Sequence, residues 1–355
     1  MYKKRKSIYT MDNILITGSN GFIGSHLIDS CLNKGYEVYA LDKPDTSFKN
    51  LLHYTNKKEY FLEEEKMDFF EDLIQIPNNN KKLCLLECDI KNSKLLDKII
   101  SVIKPNYIFH FAAQSFVLPS WQDPVETIES NVIGTINLFE SIKRHNIKTR
   151  VIVACSSAEY GTTTRINRPL KETDPLMAIH PYGISKIAAE LLARQYYLNF
   201  GIDIINLRFF NQTGPRKEGD ACADFISKIA QIDLGLAKPV IEVGNLNPYR
   251  DFTGIKDTIQ AIWLAAEKGK SGEVYNVCSG KRTQIKNLLE TALSFSNKKI
   301  KVVENTPNKM RNVDEDVILG DNSKIKNELG FKNTQSIENV LKDMFDYWIS
   351  FLKIE

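Results

Sequence analysis

Tyr182 and Lys186 stand four residues apart in the run Tyr-Gly-Ile-Ser-Lys, a spacing that puts both side chains on one face of a helix. A free phenol titrates at about 10, too high for ready proton exchange at neutral pH. A lysine ammonium within a few ångströms stabilises the phenolate and brings that value down, which makes the pair an acid/base couple. The bland reading of the same spacing is an exposed helix pair. Ser156 and Ser157 favour the chemical one, because they follow directly on an apolar strand-like run, Arg150-Val-Ile-Val-Ala154. Ligands of open α/β sheets bind at the carboxyl ends of strands, where a serine hydroxyl can hydrogen-bond a substrate oxygen. Either serine could instead be a cap or turn former.

A second constellation, Thr17-Gly-Ser-Asn-Gly-Phe-Ile-Gly24, sets glycines at 18, 21 and 24 between a strand-like and a helix-like run. Such a turn lets backbone approach a pyrophosphate, and the helix N-terminus behind it supplies N–H groups and the positive end of its dipole. Asp42 ends the next strand, where a carboxylate can bond the adenosine ribose diol and repel a 2′-phosphate. These residues predict a dinucleotide cofactor, NAD(H) in preference to NADP(H). Asp89, after the third strand, is a candidate contact to the adenine or, equally, a helix N-cap.

Both constellations need a parallel sheet to bring them together. Apolar runs at 13–17, 37–41, 83–87, 107–110, 150–154 and 202–207 read as strands. Helical periodicity falls between them, on Phe22 to Cys31, Leu95 to Ile103, Ile128 to Ile142 and about Pro181 to Phe200. This alternation predicts an α/β fold, a doubly wound parallel sheet of the NAD(P)-binding Rossmann kind over residues 11–210. A smaller mixed α/β domain, 211–355, is expected to complete a cleft, with some strand and helix exchange at the boundary. Lys43 to Lys82, long and rich in Lys, Glu and Asn, reads as an insertion on the sheet edge with one short helix around Met67 to Ile74. Residues 1–10 are basic but lack an apolar run, so a solvated, disordered tail is expected and not a signal peptide.

The 355 residues are 43% hydrophobic and 26% charged with a net charge of +3, which excludes a disordered or coiled-coil chain and gives no nucleic-acid footprint. No run of 18 apolar residues occurs, so no membrane partner is expected. The six cysteines are scattered without metal or redox spacing. They read as buried free thiols in a cytoplasmic protein that binds no metal.

Gly18-x-x-Gly21-x-x-Gly24 together with Tyr182-x-x-x-Lys186 resembles the extended short-chain dehydrogenase/reductase family. Further runs narrow the likeness to the GDP-mannose 4,6-dehydratase and GDP-4-keto-6-deoxymannose reductase group. They are Ala112-Ala-Gln-Ser-Phe-Val117, Ser156-Ser-Ala-Glu-Tyr-Gly161, Phe210-Asn-Gln-Thr-Gly-Pro-Arg216, Gly244-Asn-Leu246, Arg250-Asp-Phe252, Tyr275-Asn-Val-Cys-Ser-Gly280 and Gly320-Asp-Asn-Ser-Lys324. They occur in family order from residue 13 almost to the C-terminus.

The resemblance implies that Tyr182 is the acid/base, Lys186 its modulator and Ser156 the donor to a substrate oxygen. With the glycine motif, it implies a cofactor lined by Gly18, Asn20, Gly21, Phe22, Ile23, Gly24, Asp42, Asp89, Ile90, Ala112, Ala113, Gln114 and Phe209, besides Tyr182 and Lys186. A GDP-sugar is implied at Ser115, Ser157, Glu159, Asn211, Arg216, Arg250 and Arg311, the arginine forks suiting a diphosphate. Asn131 matches a family position on the helix behind the site. The loop of Arg311 departs from the family pattern, with Asn312, Glu315 and Asp316 where proline, an apolar residue and proline are usual. A homodimer or homotetramer is also implied, paired through the helices around Ile128 to Ile142 and Ile184 to Leu198, whose apolar stripes equally suit packing on their own sheet.

A 4,6-dehydratase must remove the carbon 5 proton of its oxidised sugar, and dehydratases of this group carry a Glu for it two residues after the catalytic Ser or Thr. That position here is Ala158. Glu159 is next door, and in extended backbone adjacent side chains point to opposite faces. Reduction of a GDP-4-keto-6-deoxy sugar needs only Tyr182, Lys186, Ser156 and a hydride donor, and is the expected reaction. A 4-epimerase or 4-dehydrogenase would use the same residues. A non-catalytic NAD-sensing protein would be expected to lose Tyr182 or Lys186, and both are present.

Overall fold

The computed structural model describes residues 13–44, 46, 48–51, 54, 61–62, 82–166, 168–307 and 317–353. The first half alternates β1 (Asn13–Thr17), α1 (Phe22–Asn33), β2 (Glu37–Asp42), β3 (Phe61–Leu62), β4 (Lys82–Glu87), α2 (Ser93–Ile103) and β5 (Tyr107–His110). Short helices α3 (Val117–Gln122) and α4 (Pro124–Ile128) lead into α5 (Gly134–Arg144), followed by β6 (Arg150–Ser156), α6 (Pro181–Phe200) and β7 (Asp203–Phe209). Helix α2 shows why such segments are helical. Asn92 caps it by accepting from Leu95 N–H at 3.1 Å, and Leu96, Ile99, Ile100 and Ile103 form one buried stripe. Each such side chain contributes roughly 1.5–3 kcal/mol when buried.

The large sheet has the strand order β11-β7-β6-β5-β1-β2-β4-β3, where β11 is Val274–Val277, and every pairing is parallel. The chain runs outward from β1 through β2 and then restarts on its other side at β5. That reversal opens a crevice at the carboxyl ends of β1 and β5. Thr17, Asp42, His110 and Ser156 are the last residues of their strands and share that edge. One face of the sheet is closed by α1 and α8 (Ile255–Lys268), with Trp263 Nε1 donating to Ser30 Oγ at 2.9 Å. The other is closed by α2, α5 and α6 around Leu96, Phe139 and Tyr196.

The single helix expected from Ile128 to Ile142 is divided. A π-helical turn, Glu129–Ile133, separates α4 from α5. The apolar stripe carries no signal for the extra residue, yet π turns recur at functional sites because they re-aim one side chain. Here that side chain is Asn131.

The smaller sheet centres on β10 (Tyr249–Gly254), antiparallel to β12 (Arg282–Gln284) and parallel to both β14 (Val317–Ile318) and β8 (Asn211–Thr213). Its core lies among α7 (Ala221–Asp233), α9 (Ile285–Leu293) and α11 (Ile337–Leu352). Two segments cross the division expected at 210/211, since α8 packs on the large sheet and β11 extends it beside β7. The tail 1–10, the helix expected at Met67 to Ile74 and Arg311 lie outside the described residues. Among the described residues no helix is long and apolar enough to cross a membrane. All six cysteines are free thiols, five of them buried and Cys84 half-buried.

Candidate active site

The glycine turn joins β1 to α1. Gly18 takes φ +70° and Gly24 lies so close beneath it that an added Cβ would stand 2.3 Å from Gly18 O. Helix α1 begins without a side-chain cap and without an acid in its first turn, so its N–H groups and positive dipole end face the crevice unneutralised. That geometry fits a dinucleotide pyrophosphate. Asp42 locks the turn, its Oδ2 accepting from Asn20 N–H at 2.7 Å and its Oδ1 from Lys43 N–H at 2.9 Å. Burial pushes its pKa up while those two N–H bonds pull it down. Asn20 itself is spent on structure, bonding Thr46 O at 3.0 Å and accepting from Asn50 N–H at 3.0 Å. Asp89 is not the N-cap of α2, a place Asn92 holds. Its carboxylate accepts from Lys91 N–H at 2.9 Å. Ile90 and Phe209 have their side chains in the core, Ile90 against Gly134 and Phe209 edge-on to Phe111.

Beneath the crevice His110 is buried and bridges two hydroxyls, Thr17 Oγ1 at 2.8 Å and Thr135 Oγ1 at 2.9 Å. Burial first, and then the charge of Lys186, push its pKa down to about 3, so it bridges the two hydroxyls as a neutral ring. Thr17 Oγ1 in turn accepts from Ala112 N–H at 3.2 Å, which fixes the segment Ala112–Gln114. Asn131 completes this support. It accepts from Gln114 N–H at 2.7 Å and donates to Gln114 O at 2.9 Å and Ser185 Oγ at 2.8 Å. The Gln114 side chain closes its own turn on Phe116.

Helix α6 starts at His180-Pro181, with His180 Nδ1 accepting from Gly183 N–H at 3.0 Å. The His180 ring lies parallel to that of Tyr182, centroids 6.0 Å apart. Tyr182 shares a hydrogen bond with Ser156, and burial pushes its hydroxyl up to about 12 despite that bond, the reverse of the lowering expected from Lys186. Lys186, one turn on, is 6% exposed and donates from Nζ to Ala154 O at 2.8 Å. Burial lowers its pKa. Ser156 Oγ accepts from Ala158 N–H at 3.1 Å. The structure therefore brings Ser156, Tyr182, Lys186 and Asn131 together at the carboxyl edge of β6, beside the glycine turn.

The residues expected to hold a nucleotide sugar are scattered. Ser115 is exposed ahead of α3 and Ser157 is half-buried at the start of a 3-10 turn, Ser157–Glu159. Asn211 donates to Asp251 O at 3.2 Å, and Arg250, 6% exposed on β10, donates to Tyr249 O at 2.9 Å. Arg216 sits at φ +67° and pairs with Asp29 of α1 at 2.8 Å, which ties the segment after β8 to α1. Glu159 is a correction. The segment after Ser156 is a helical turn and not extended, and Glu159 folds back to cap it, Oε1 accepting from Ser156 N–H at 2.8 Å. Its side chain is fully buried, so it offers nothing to a substrate.

Compared with known proteins, residues 15–344 match the family model described as GDP-mannose 4,6 dehydratase. The chain belongs to the GDP-mannose 4,6 dehydratase family. Among its relatives is a GDP-6-deoxy-D-mannose reductase of Pseudomonas aeruginosa, 29% identical over 71% of this chain and 83% of the relative. GDP-mannose 4,6 dehydratase 1 of Arabidopsis thaliana is 29% identical over 96% of this chain and 91% of its own length. A solved UDP-glucose 4-epimerase from Thermotoga maritima, with UDP-glucose, superposes with a TM-score of 0.78 at 27% identity, covering 96% of this chain and 99% of the epimerase. The protein is thus an NAD(P)-dependent extended short-chain dehydrogenase/reductase acting on nucleotide sugars.

For a member of the GDP-mannose 4,6 dehydratase family, two residues that sequence reasoning missed stand out. Lys217 holds its ammonium 5.4 Å from the Phe22 ring and 6.0 Å from the Phe116 ring, at the mouth of the glycine turn. Its only signal in the sequence is a basic residue after Gly214-Pro215-Arg216. His180 is signalled by its place before a proline that opens a helix.

Proposed function

We propose that this protein reduces the 4-keto group of a GDP-4-keto-6-deoxy sugar with NADH. The observation that carries this reading is the fate of Glu159. The turn after Ser156 holds one carboxyl group, and it is buried and bonded to Ser156 N–H. No base from that turn is left to take a proton from sugar carbon 5. When bound, the dihydronicotinamide supplies hydride. Ser156 Oγ donates to the ketone oxygen and polarises it. Tyr182, whose hydroxyl is protonated at neutral pH because burial raises it to about 12, delivers its proton to the oxygen at carbon 4. Lys186, one helical turn away, supplies the cation that steadies the resulting phenolate. Incubation of the chain with GDP-mannose and NAD in deuterated water should leave the carbon 5 hydrogen in place. Deuterium at carbon 5 with loss of the 6-hydroxyl would make the protein a dehydratase.

The cofactor preference rests on Asp42, whose charge at the rim of the glycine turn disfavours a 2′-phosphate. Asp42→Asn keeps the acceptor for Asn20 N–H and removes the charge. The ratio of NADPH to NADH affinity should rise roughly tenfold, about 1.4 kcal/mol, in fluorescence titrations. A wild-type protein that already binds NADPH more tightly contradicts the assignment.

We also infer pairing with a second copy through the helices around Ile128 to Ile142 and Ile184 to Leu198, together with α3 and α4 ahead of the first. Leu118, Trp121, Val125, Ile184, Leu191 and Leu198 leave 51–69% of their surface exposed there, more than isolated surface apolar residues explain. Sedimentation velocity should give a dimer or tetramer for the wild type and a monomer for Leu191→Glu with Leu198→Glu. A monomeric wild type contradicts it.

A further inference from the structure

Behind Ser156 lies a closed charge cluster that hydride and proton transfer do not use. Glu159 is fully buried, and its Oε2 has no hydrogen-bond partner among the described residues. Facing it are Glu190 from α6, 7% exposed, and Arg208 from β7, 3% exposed. Arg208 forks onto Glu190, Nε to Oε2 at 2.8 Å and Nη2 to Oε1 at 2.5 Å. Its Nη1 is committed to the Tyr160 hydroxyl at 2.9 Å and to Glu172 O at 3.0 Å. Glu159 is left with a looser approach, Oε2 to Arg208 Nε at 3.4 Å. Cys155 Sγ from β6 and one oxygen of each of Glu159 and Glu190 lie within 4.8 Å of one another.

Two carboxyl groups share one hydrogen-bonded guanidinium in a site closed to solvent, and the other buried cation facing it, Lys186, is bonded to Ala154 O and to neither acid. A buried unpaired charge costs several kcal/mol, and the group neutralises by keeping a proton. The fork decides which group that is. Glu190 is the ionised partner of Arg208, and Glu159 is the one without a donor on Oε2. The other groups facing the cluster put no second cation in hydrogen-bond reach of either acid. Cys155 is pushed above its usual range by burial and by both acids, so it stays a thiol. The Glu172 carboxyl turns to Asn276 N–H at 2.8 Å, and Tyr160 donates to Asn276 Oδ1 at 2.8 Å. Lys186 and Tyr182 complete the set, and Lys186 is bonded to Ala154 O. The three donor groups make no metal site, because Arg208 already supplies the cation.

We propose that Glu159 is held as a neutral carboxylic acid whose Oε2 hydrogen is shared with Glu190, and that in this form it is a positioning residue for Ser156. Its carbonyl oxygen accepts from Ser156 N–H, Ala158 N–H donates to Ser156 Oγ, and the hydroxyl is aimed without an anion being set beneath Tyr182. An ionised Glu159 would add its charge to the burial that raises the Tyr182 hydroxyl. The inference rests on the reading of Ser156 and Tyr182 as reacting groups.

Glu159→Gln mimics the neutral acid, whereas Glu159→Ala removes the cap. Infrared difference spectra of the full chain, wild type minus Glu159→Gln, should contain the carbonyl stretch of a protonated carboxylic acid. A difference showing carboxylate bands alone overturns the proposal. A carboxyl that stays protonated in the fold above its unfolded value of about 4.3 binds more protons folded than unfolded, so its contribution declines as pH rises. The Tm of Glu159→Gln relative to wild type should therefore climb between pH 5 and pH 9. A relative Tm that falls over that range overturns it. In the reductase assay Glu159→Ala should lose at least about tenfold in kcat with little change in KM, and Glu159→Gln should restore most of it. Equal losses in both variants overturn the positioning role. The infrared and thermal arms need no substrate, so they stand even if the reaction has been assigned to the wrong sugar.

Discussion

Tyr182→Phe should lower kcat by about a hundred- to ten-thousandfold while leaving NADH affinity within a few-fold of wild type. The size follows from what is removed. A positioned proton donor contributes about 10²–10⁴ to such a step, and the ketone oxygen would have to find its proton in water. The specificity follows from what is kept. Phenylalanine retains the ring that lies parallel to His180 at 6.0 Å. Lys186 remains bonded to Ala154 O, and the glycine turn is on another element. Stopped-flow single turnover separates the two effects, because a slow chemical step with normal binding marks a lost acid and not a damaged fold. A variant within threefold of wild-type kcat would remove Tyr182 from the chemistry.

Gly18→Ala is the second large effect, and it falls on binding. At φ +70° an L side chain is strained, and its Cβ would meet Ala112 N and the Phe111 carbonyl carbon, each at 2.7 Å. Both are backbone atoms in the segment that Thr17 and Asn131 hold in place, so neither can yield cheaply. The turn must then open at the point where it meets the pyrophosphate. NADH affinity should fall at least about a hundredfold, and stability by about 2 kcal/mol, in the range for strain at a special φ/ψ. Gly21→Ala is the internal comparison. Its Cβ would have one neighbour within 4 Å, Gly18 O at 3.1 Å, so a much smaller loss is expected. Equal losses at 18 and 21 in NADH titration and thermal denaturation would mean that the tight packing of Gly18 is not what shapes the turn.

Much of this site can be read directly from the chain because its parts are local. Pro181–Phe200 announces itself through a proline at its start, helical spacing and Gly201 at φ +67° beyond its end. The strands are apolar runs bounded by turns, and Asp42 is picked out because it ends the strand that follows the glycine motif and its helix. What escapes is set by partners far along the chain. The π turn that aims Asn131 leaves the apolar stripe intact, so periodicity cannot register it. Arg216 reads as a phosphate ligand, and nothing in the sequence announces that the fold also pairs its Nη2 with Asp29. Alternation assigns Glu159 to the face opposite Ala158, but the backbone there is a 3-10 turn, and its burial depends on Arg208 arriving from β7. Which elements exchange across the expected boundary at 210/211 escapes for a similar reason, since strand β11 is recruited by β7 from almost seventy residues away.

The most direct test is to mix the purified chain with NADH and a GDP-4-keto-6-deoxy-hexose, following NADH absorbance and identifying the product by mass spectrometry and NMR. One NADH should be consumed per sugar, giving a GDP-6-deoxy-hexose of a single configuration at carbon 4, with Tyr182→Phe inactive. Unchanged NADH, or conversion of GDP-mannose alone to a 4-keto-6-deoxy product, would contradict the assignment.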